Sequence, residues 1–128
     1  MSRPEYFVRD KVSGVVPTYP LMAPEGVRPP YAIYGRQSTE RERYMADTAL
    51  VPKSEFAVAI YAQTYAAVKD LADDIRRAMD NFTGVWDGCE ILECYLTAEA
   101  DGAAIEYEGE TKPSYIVELT FAIRYRET

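Results

Sequence analysis

Ser114-Tyr115-Ile116-Val117-Glu118-Leu119-Thr120-Phe121-Ala122-Ile123-Arg124-Tyr125-Arg126 carries the strongest period-two alternation in this 128-residue chain. Tyr115, Val117, Leu119, Phe121, Ile123 and Tyr125 fall on one side, while Glu118, Thr120, Arg124 and Arg126 mark the other. Successive side chains of a strand point to opposite faces, so this stretch predicts a strand with one buried and one wet face. A sheet with one face on a core is therefore the frame into which the rest of the chain must fit.

Working back from that strand, residues 55–62 alternate cleanly, with Phe56, Val58 and Ile60 facing one way and Glu55, Ala57 and Tyr61 the other. Residues 31–38 and 89–97 read as two further strands. Between residues 55–62 and 89–97 the period changes. Tyr65, Val68, Ala72, Ile75, Met79 and Phe82 recur at offsets of three and four, opposite Lys69, Asp70, Asp73, Asp74, Arg76 and Arg77. Thr64 is placed to cap this helix, and Asn81 and Gly84 to end it. The apolar stripe reads as core against the sheet, worth on the order of 10 kcal/mol before ordering entropy is set against it.

At the N-terminus, Ser2-Arg3-Pro4-Glu5 has the spacing of a capping box, and a short helix is expected over residues 1–14 with Val8, Val12 and Val15 on one side. Residues 15–30 hold Pro17, Pro20, Pro24, Pro29 and Pro30. They predict an extended lead-in with neither regular helix nor interior strand. Two connections are oversized for hairpin loops, residues 39–54 and 98–113. Pro52 is expected to break the first, and Asp101-Gly102 to turn the second. The expected fold class is thus α+β. It has a four-stranded mainly antiparallel sheet, one long amphipathic helix packed on one face, a short N-terminal helix and two long hairpin arms. Residues 1–128 are read as a single domain, with residues 31–128 forming the sheet-plus-helix body.

Composition narrows the function. Hydrophobic residues make up 48% and charged residues 27%, ordinary for a globular domain. The first apolar run, Tyr6-Phe7-Val8, is too short for a signal-peptide core, and no stretch approaches the ~20 apolar residues of a membrane span. The chain is expected to stay where it is made and to have no membrane partner. Cys89 and Cys94 lie five apart in a predicted strand, which puts them on opposite faces as buried, reduced thiols.

Histidine is absent, which removes Ser-His and Cys-His nucleophile pairs and the commonest ligand of zinc and iron sites. There is no phosphate-loop Gly-Lys-Ser/Thr and no strand followed by G-x-G-x-x-G. Glu40/Glu42 and Asp73/Asp74 sit among arginines and read as solvated or salt-bridged faces rather than acid–base pairs. No catalytic, cofactor or metal site is expected, and the chain reads as a non-enzyme. A net charge of −7 argues against nucleic acid as the main partner.

The arms remain as binding elements. In extended chain, Arg41 and Arg43 share one face and Glu40 and Glu42 the other, with Tyr44 following; in the second arm Glu106, Glu108 and Glu110 share a face. Arg41, Arg43, Tyr44, Glu106, Glu108 and Glu110 are therefore the candidate subunit interface. A basic edge meeting a neighbour's acidic edge is a heterologous contact, which closes a ring when the rotation permits. The plainer reading is a pair of solvated hairpin tips whose charges keep exposed edges soluble.

Three stretches carry a resemblance: Tyr19-Pro20-Leu21-Met22-Ala23-Pro24-Glu25-Gly26 running on to Pro30-Tyr31-Ala32-Ile33-Tyr34; Ile60-Tyr61-Ala62-Gln63-Thr64-Tyr65-Ala66-Ala67-Val68-Lys69-Asp70-Leu71-Ala72; and Phe121-Ala122-Ile123-Arg124-Tyr125. From about residue 17 onward the chain resembles the tail terminator (tail-completion) proteins of long-tailed bacteriophages and prophages. It departs from them in a shorter N-terminal helix and in residues 105–110. The resemblance implies a homo-oligomeric, hexameric ring on the head-proximal end of the tail tube, made in the host bacterial cytoplasm and housed in the virion. Such a ring ends tube growth and offers the head–tail joining surface. Its partners would be the tail tube protein and the head–tail connector or neck protein, with DNA passing through unbound by sequence. Alternatives are a head-completion or neck protein of the same joint, a ferredoxin-like small-molecule-binding domain, and a weak nucleic-acid binder stacking bases on the chain's 11 tyrosines.

Overall fold

The computed structural model describes residues 4–22, 26, 28–44, 47–86, 89–103 and 115–127, with backbone alone for 38–44, 47–52, 103 and 127. Eight elements follow in order: α1 (Pro4–Ser13), β1 (Thr18–Pro20), β2 (Tyr31–Tyr44), β3 (Asp47–Ala62), α2 (Tyr65–Met79), β4 (Gly84–Trp86), β5 (Cys89–Ala103) and β6 (Tyr115–Glu127). The strands form one mixed sheet in the order β1-β2-β3-β6-β5-β4, curled into a half-barrel. β1 runs parallel to β2; the other pairs are antiparallel.

This architecture corrects the expected four-stranded sheet under one long helix. The protein is mostly sheet, six-stranded, with two short helices of 10 and 15 residues. Two causes account for the difference. β1 and β4 are three residues each, too short to show a period. The described parts of the presumed loop arms, residues 39–44, 47–54 and 98–103, are instead strand, so that β2, β3 and β5 run 14, 16 and 15 residues. Asp101 and Gly102 lie within β5, paired to Val117 and Ile116, rather than in a turn. β3 runs straight through Pro52. Pro52 stands one residue past the last β3–β6 pair, Lys53 with Arg124, so its missing N–H breaks no ladder bond there. The proline-rich lead-in still contributes β1, at the sheet edge where proline is tolerated.

The alternation of the last strand governs packing. Val117, Leu119, Phe121, Ile123 and Tyr125 are fully buried, and Phe56, Val58 and Ile60 of β3 join them. Onto this face α2 lays Val68, Ala72, Ile75 and Met79, and α1 lays Phe7, Val8 and Val12. Full burial of side chains such as Val68, Ile75 and Met79 contributes ~1.5–3 kcal/mol each. Tyr65 and Phe82, predicted for the same stripe, stand half-exposed at the start of the helix and partly buried beyond its end. Thr64 caps α2, its hydroxyl accepting from Ala67 N at 3.1 Å. Ser54, the one buried polar residue among those whose side chains are described, donates from Oγ to Tyr125 Oη at 3.4 Å.

Cys89 and Cys94 correct a second expectation. Both are free and buried, and both belong to the same core cluster. The β5–β6 register slips between Ile91 and Glu93, and this bulge inserts one residue. One extra residue inverts the parity of everything beyond it, so positions five apart face the same way.

Candidate assembly interface

The β2–β3 hairpin and the β5–β6 pair end at opposite corners of the sheet. β2 and β3 are joined at the end where Lys53 pairs with Arg124, beyond Tyr44 paired with Asp47. β5 and β6 are joined at the other end, where Ala62 and Ala103 both pair with Tyr115. β2 also lies on one side of the sheet and β5 on the other. The described bases of the two arms therefore lie apart in a single chain.

Arg41 pairs with Pro52 in the β2–β3 ladder, and Arg43 falls in the register shift between Glu42 and Tyr44. That shift interrupts the strict alternation from which Arg41 and Arg43 were assigned one face. Glu106, Glu108 and Glu110 lie outside the described residues.

The base of the second arm holds a polar cluster. Tyr65 Oη donates to Asp101 Oδ2 at 2.7 Å, and Lys69 Nζ to Asp101 Oδ1 at 3.1 Å; Lys69 also stands 3.9 Å from Glu99. The Tyr65 and Tyr115 rings meet edge-on at 6.1 Å. The Tyr65 hydrogen bond, then that of Lys69, holds the Asp101 carboxyl below the usual carboxylate range. The same bonds to Asp101 raise the Lys69 ammonium and the Tyr65 hydroxyl. The cluster ties the N-terminal turn of α2 to the exposed side chains of β5 beside Val117 and Leu119. The sequence pattern concealed it, because Tyr65 read as core and Lys69 as solvated face.

No family model matches the chain, and no curated protein matches it. Its fold is similar to that of a chain in the virion of a native gene transfer agent particle, with a TM-score of 0.70 over 92% of this chain and 90% of that one. Identity is 12%, so the likeness is one of fold.

At the end of β2 away from the first arm's tip, β1 covers only Ala32, Ile33 and Tyr34 before Leu21 ends it in a left-handed turn, φ 62°. Leu21 N donates to Tyr34 O at 2.8 Å, and Leu21 Cδ2 lies 2.8 Å from where a Cβ at Gly35 would stand. A Cβ at Gly35 would displace only the far end of this exposed side chain. Leu21, 74% exposed, lines a shallow depression with Ile33, Ala57 and Ala59 and with the polar Arg36, Gln37 and Glu118; Met22, next in the chain, is 75% exposed. Among the described residues there is no group of three or more Cys, Asp or Glu arranged to hold a metal ion.

Proposed function

We propose that this chain is a structural, non-enzymatic component of a phage-like virion, and within it the tail terminator. It assembles as a ring, a hexamer by the resemblance, that caps the tail tube, ends its elongation and offers the surface on which the head is joined. The fold shared with a virion chain over nine-tenths of both molecules carries this reading. The hairpin ends at opposite corners of the sheet support it, since unlike corners suit a heterologous contact that repeats around a ring. Residues 99–110 hold five acids and no base, whereas residues 36–44 hold Arg36, Arg41 and Arg43 against Glu40 and Glu42. The candidate contact sets Arg41, Arg43 and Tyr44 of one copy toward the acidic arm of the next, including Glu106, Glu108 and Glu110. Tail tube protein and neck protein would hold the two ring faces, and DNA would pass through the opening.

A double Arg41→Glu, Arg43→Glu variant is expected to fall from ring to monomer mass in light scattering at physiological salt, while wild-type rings appear on the ends of tail tubes by electron microscopy. A wild-type protein that is monomeric and leaves tube ends bare would refute the assignment.

A further inference from the structure

Every strand edge in this sheet can be assigned a direction. Tyr34 O and Ala32 N bond outward, to Leu21 and Pro17, so in β2 these residues turn their backbone groups away from β3. In an antiparallel ladder that direction alternates. Following the register through the shift between Arg36 and Ser38, Thr39 (opposite Ser54) and Arg41 (opposite Pro52) turn N–H and C=O to the outer edge. On the far side, Cys94 O accepts from Asn81 N at 2.7 Å, and Leu96 N donates to Asp80 Oδ1 at 3.0 Å; both groups face away from β6. Carried through the shift between Leu96 and Ala98, the same alternation turns Glu99 and Asp101 outward. The cover strands stop short of both places. β1 reaches only Tyr34, and β4 reaches only Ile91. Among the described residues no strand lies beside 37–44 of β2 or 98–103 of β5 on the outer side.

We propose that copies of this chain join by adding the outer edge of β2 in one molecule, antiparallel, to the outer edge of β5 in the next. The half-barrel sheet then continues from copy to copy into a closed barrel. This rests on the ring reading above and names its contact. Outward groups must meet outward groups, and the register that sets Thr39 opposite Asp101 sets Arg41 opposite Glu99. The charges agree: residues 37–44 carry two arginines and two glutamates, and residues 98–103 carry two acids and no base. This register takes Glu99 and Asp101 as the acidic partners of residues 39–41, in place of Glu106, Glu108 and Glu110.

Closure follows from the same register. Through Ser54, Thr39 stands level with Ile123, and Asp101 stands level with Val117. Neighbouring copies are therefore offset by the six residues from Val117 to Ile123, or ~20 Å at ~3.3 Å per residue. The four long strands of one copy occupy ~19 Å across the sheet at ~4.8 Å each. An offset of ~20 Å over ~19 Å tilts the strands ~45°, at the upper end of the ~35–45° that closed barrels adopt.

The test uses two full-length variants, Thr39→Pro and Glu99→Pro, each removing one outward N–H while leaving the intramolecular ladder intact. With the fold verified by far-UV circular dichroism, each alone is expected to be a monomer by native mass spectrometry. Mixed, they should give a heterodimer, because one retains a working β5 edge and the other a working β2 edge. A folded single variant that keeps the wild-type oligomer, or a mixture that stays monomeric, overturns the edge pairing. If either proline variant is unfolded, Arg41→Glu and Glu99→Lys replace them. Each alone should weaken self-association several-fold through like charges, and mixing should restore it; unchanged association in the single variants overturns the proposal. A wild-type monomer at micromolar concentration would instead defeat the ring reading itself, so the two failures are distinguishable.

Discussion

Cys89 and Cys94 sit 0% and 2% exposed on one face of β5. Nothing in Cys89-Glu90-Ile91-Leu92-Glu93-Cys94 marks the inserted residue that puts them there. Alternation is legible only while the register holds, and a bulge is set by the partner strand. Burial, and next the Asp80 carboxylate, push the Cys94 thiol up to about 12. At pH 8 the native protein is expected to incorporate almost no iodoacetamide, and both cysteines should react once it is denatured; labelling of the native chain at the rate of a free thiol would contradict the burial. The sign with pH also follows. Folding favours the neutral thiol, so its contribution is complete below the ordinary value of 9.0 and is lost as pH rises from there toward about 12. Thermal melts of Cys94→Ala should therefore fall less steeply across that window than those of the wild type.

α2 is the element that sequence and structure describe most alike, because its cap, apolar stripe and charged face are all local. Thr64 is exposed, so its cap can be tested without disturbing the core. Thr64→Ala is expected to cost ~1 kcal/mol, or ~3 °C in Tm, with Thr64→Ser close to wild type. A melt of Thr64→Ala unchanged within error would show that the hydroxyl contributes nothing. The strands were legible only where they cross the core. Residues 39–44 are charged or polar throughout, so no apolar alternation marks them as strand. Hence the arms read as loops. The polar cluster at the base of β5 was hidden for another reason: Asp101 lies 36 residues from Tyr65 and 32 from Lys69, and no spacing rule links positions so far apart.

At the scale of the whole molecule, the sequence predicted a four-stranded sheet under one long helix, and the structure overturns this with a six-stranded half-barrel and two short helices, whose width leaves open edges. Those edges matter because the chain carries a net charge of −7. Copies of an acidic protein repel one another as a whole, over distances longer than any single contact. At ~0.01 M salt the Debye length is ~30 Å and this repulsion reaches across a subunit; at ~0.15 M it shrinks to ~8 Å, and at ~1 M to ~3 Å. Charges paired across the proposed β2–β5 seam, a few ångströms apart, are screened later than the diffuse repulsion. Self-association measured by sedimentation velocity is therefore expected to strengthen from ~0.01 M to ~0.15 M NaCl and to weaken again toward ~1 M. Each limb of that curve reports a different force. A steady fall from the lowest salt upward would mean that attraction between the arms outweighs the net charge at every distance. No weakening at high salt would mean that the seam is held by apolar contact, with Leu21 and Met22 the exposed side chains placed to supply it.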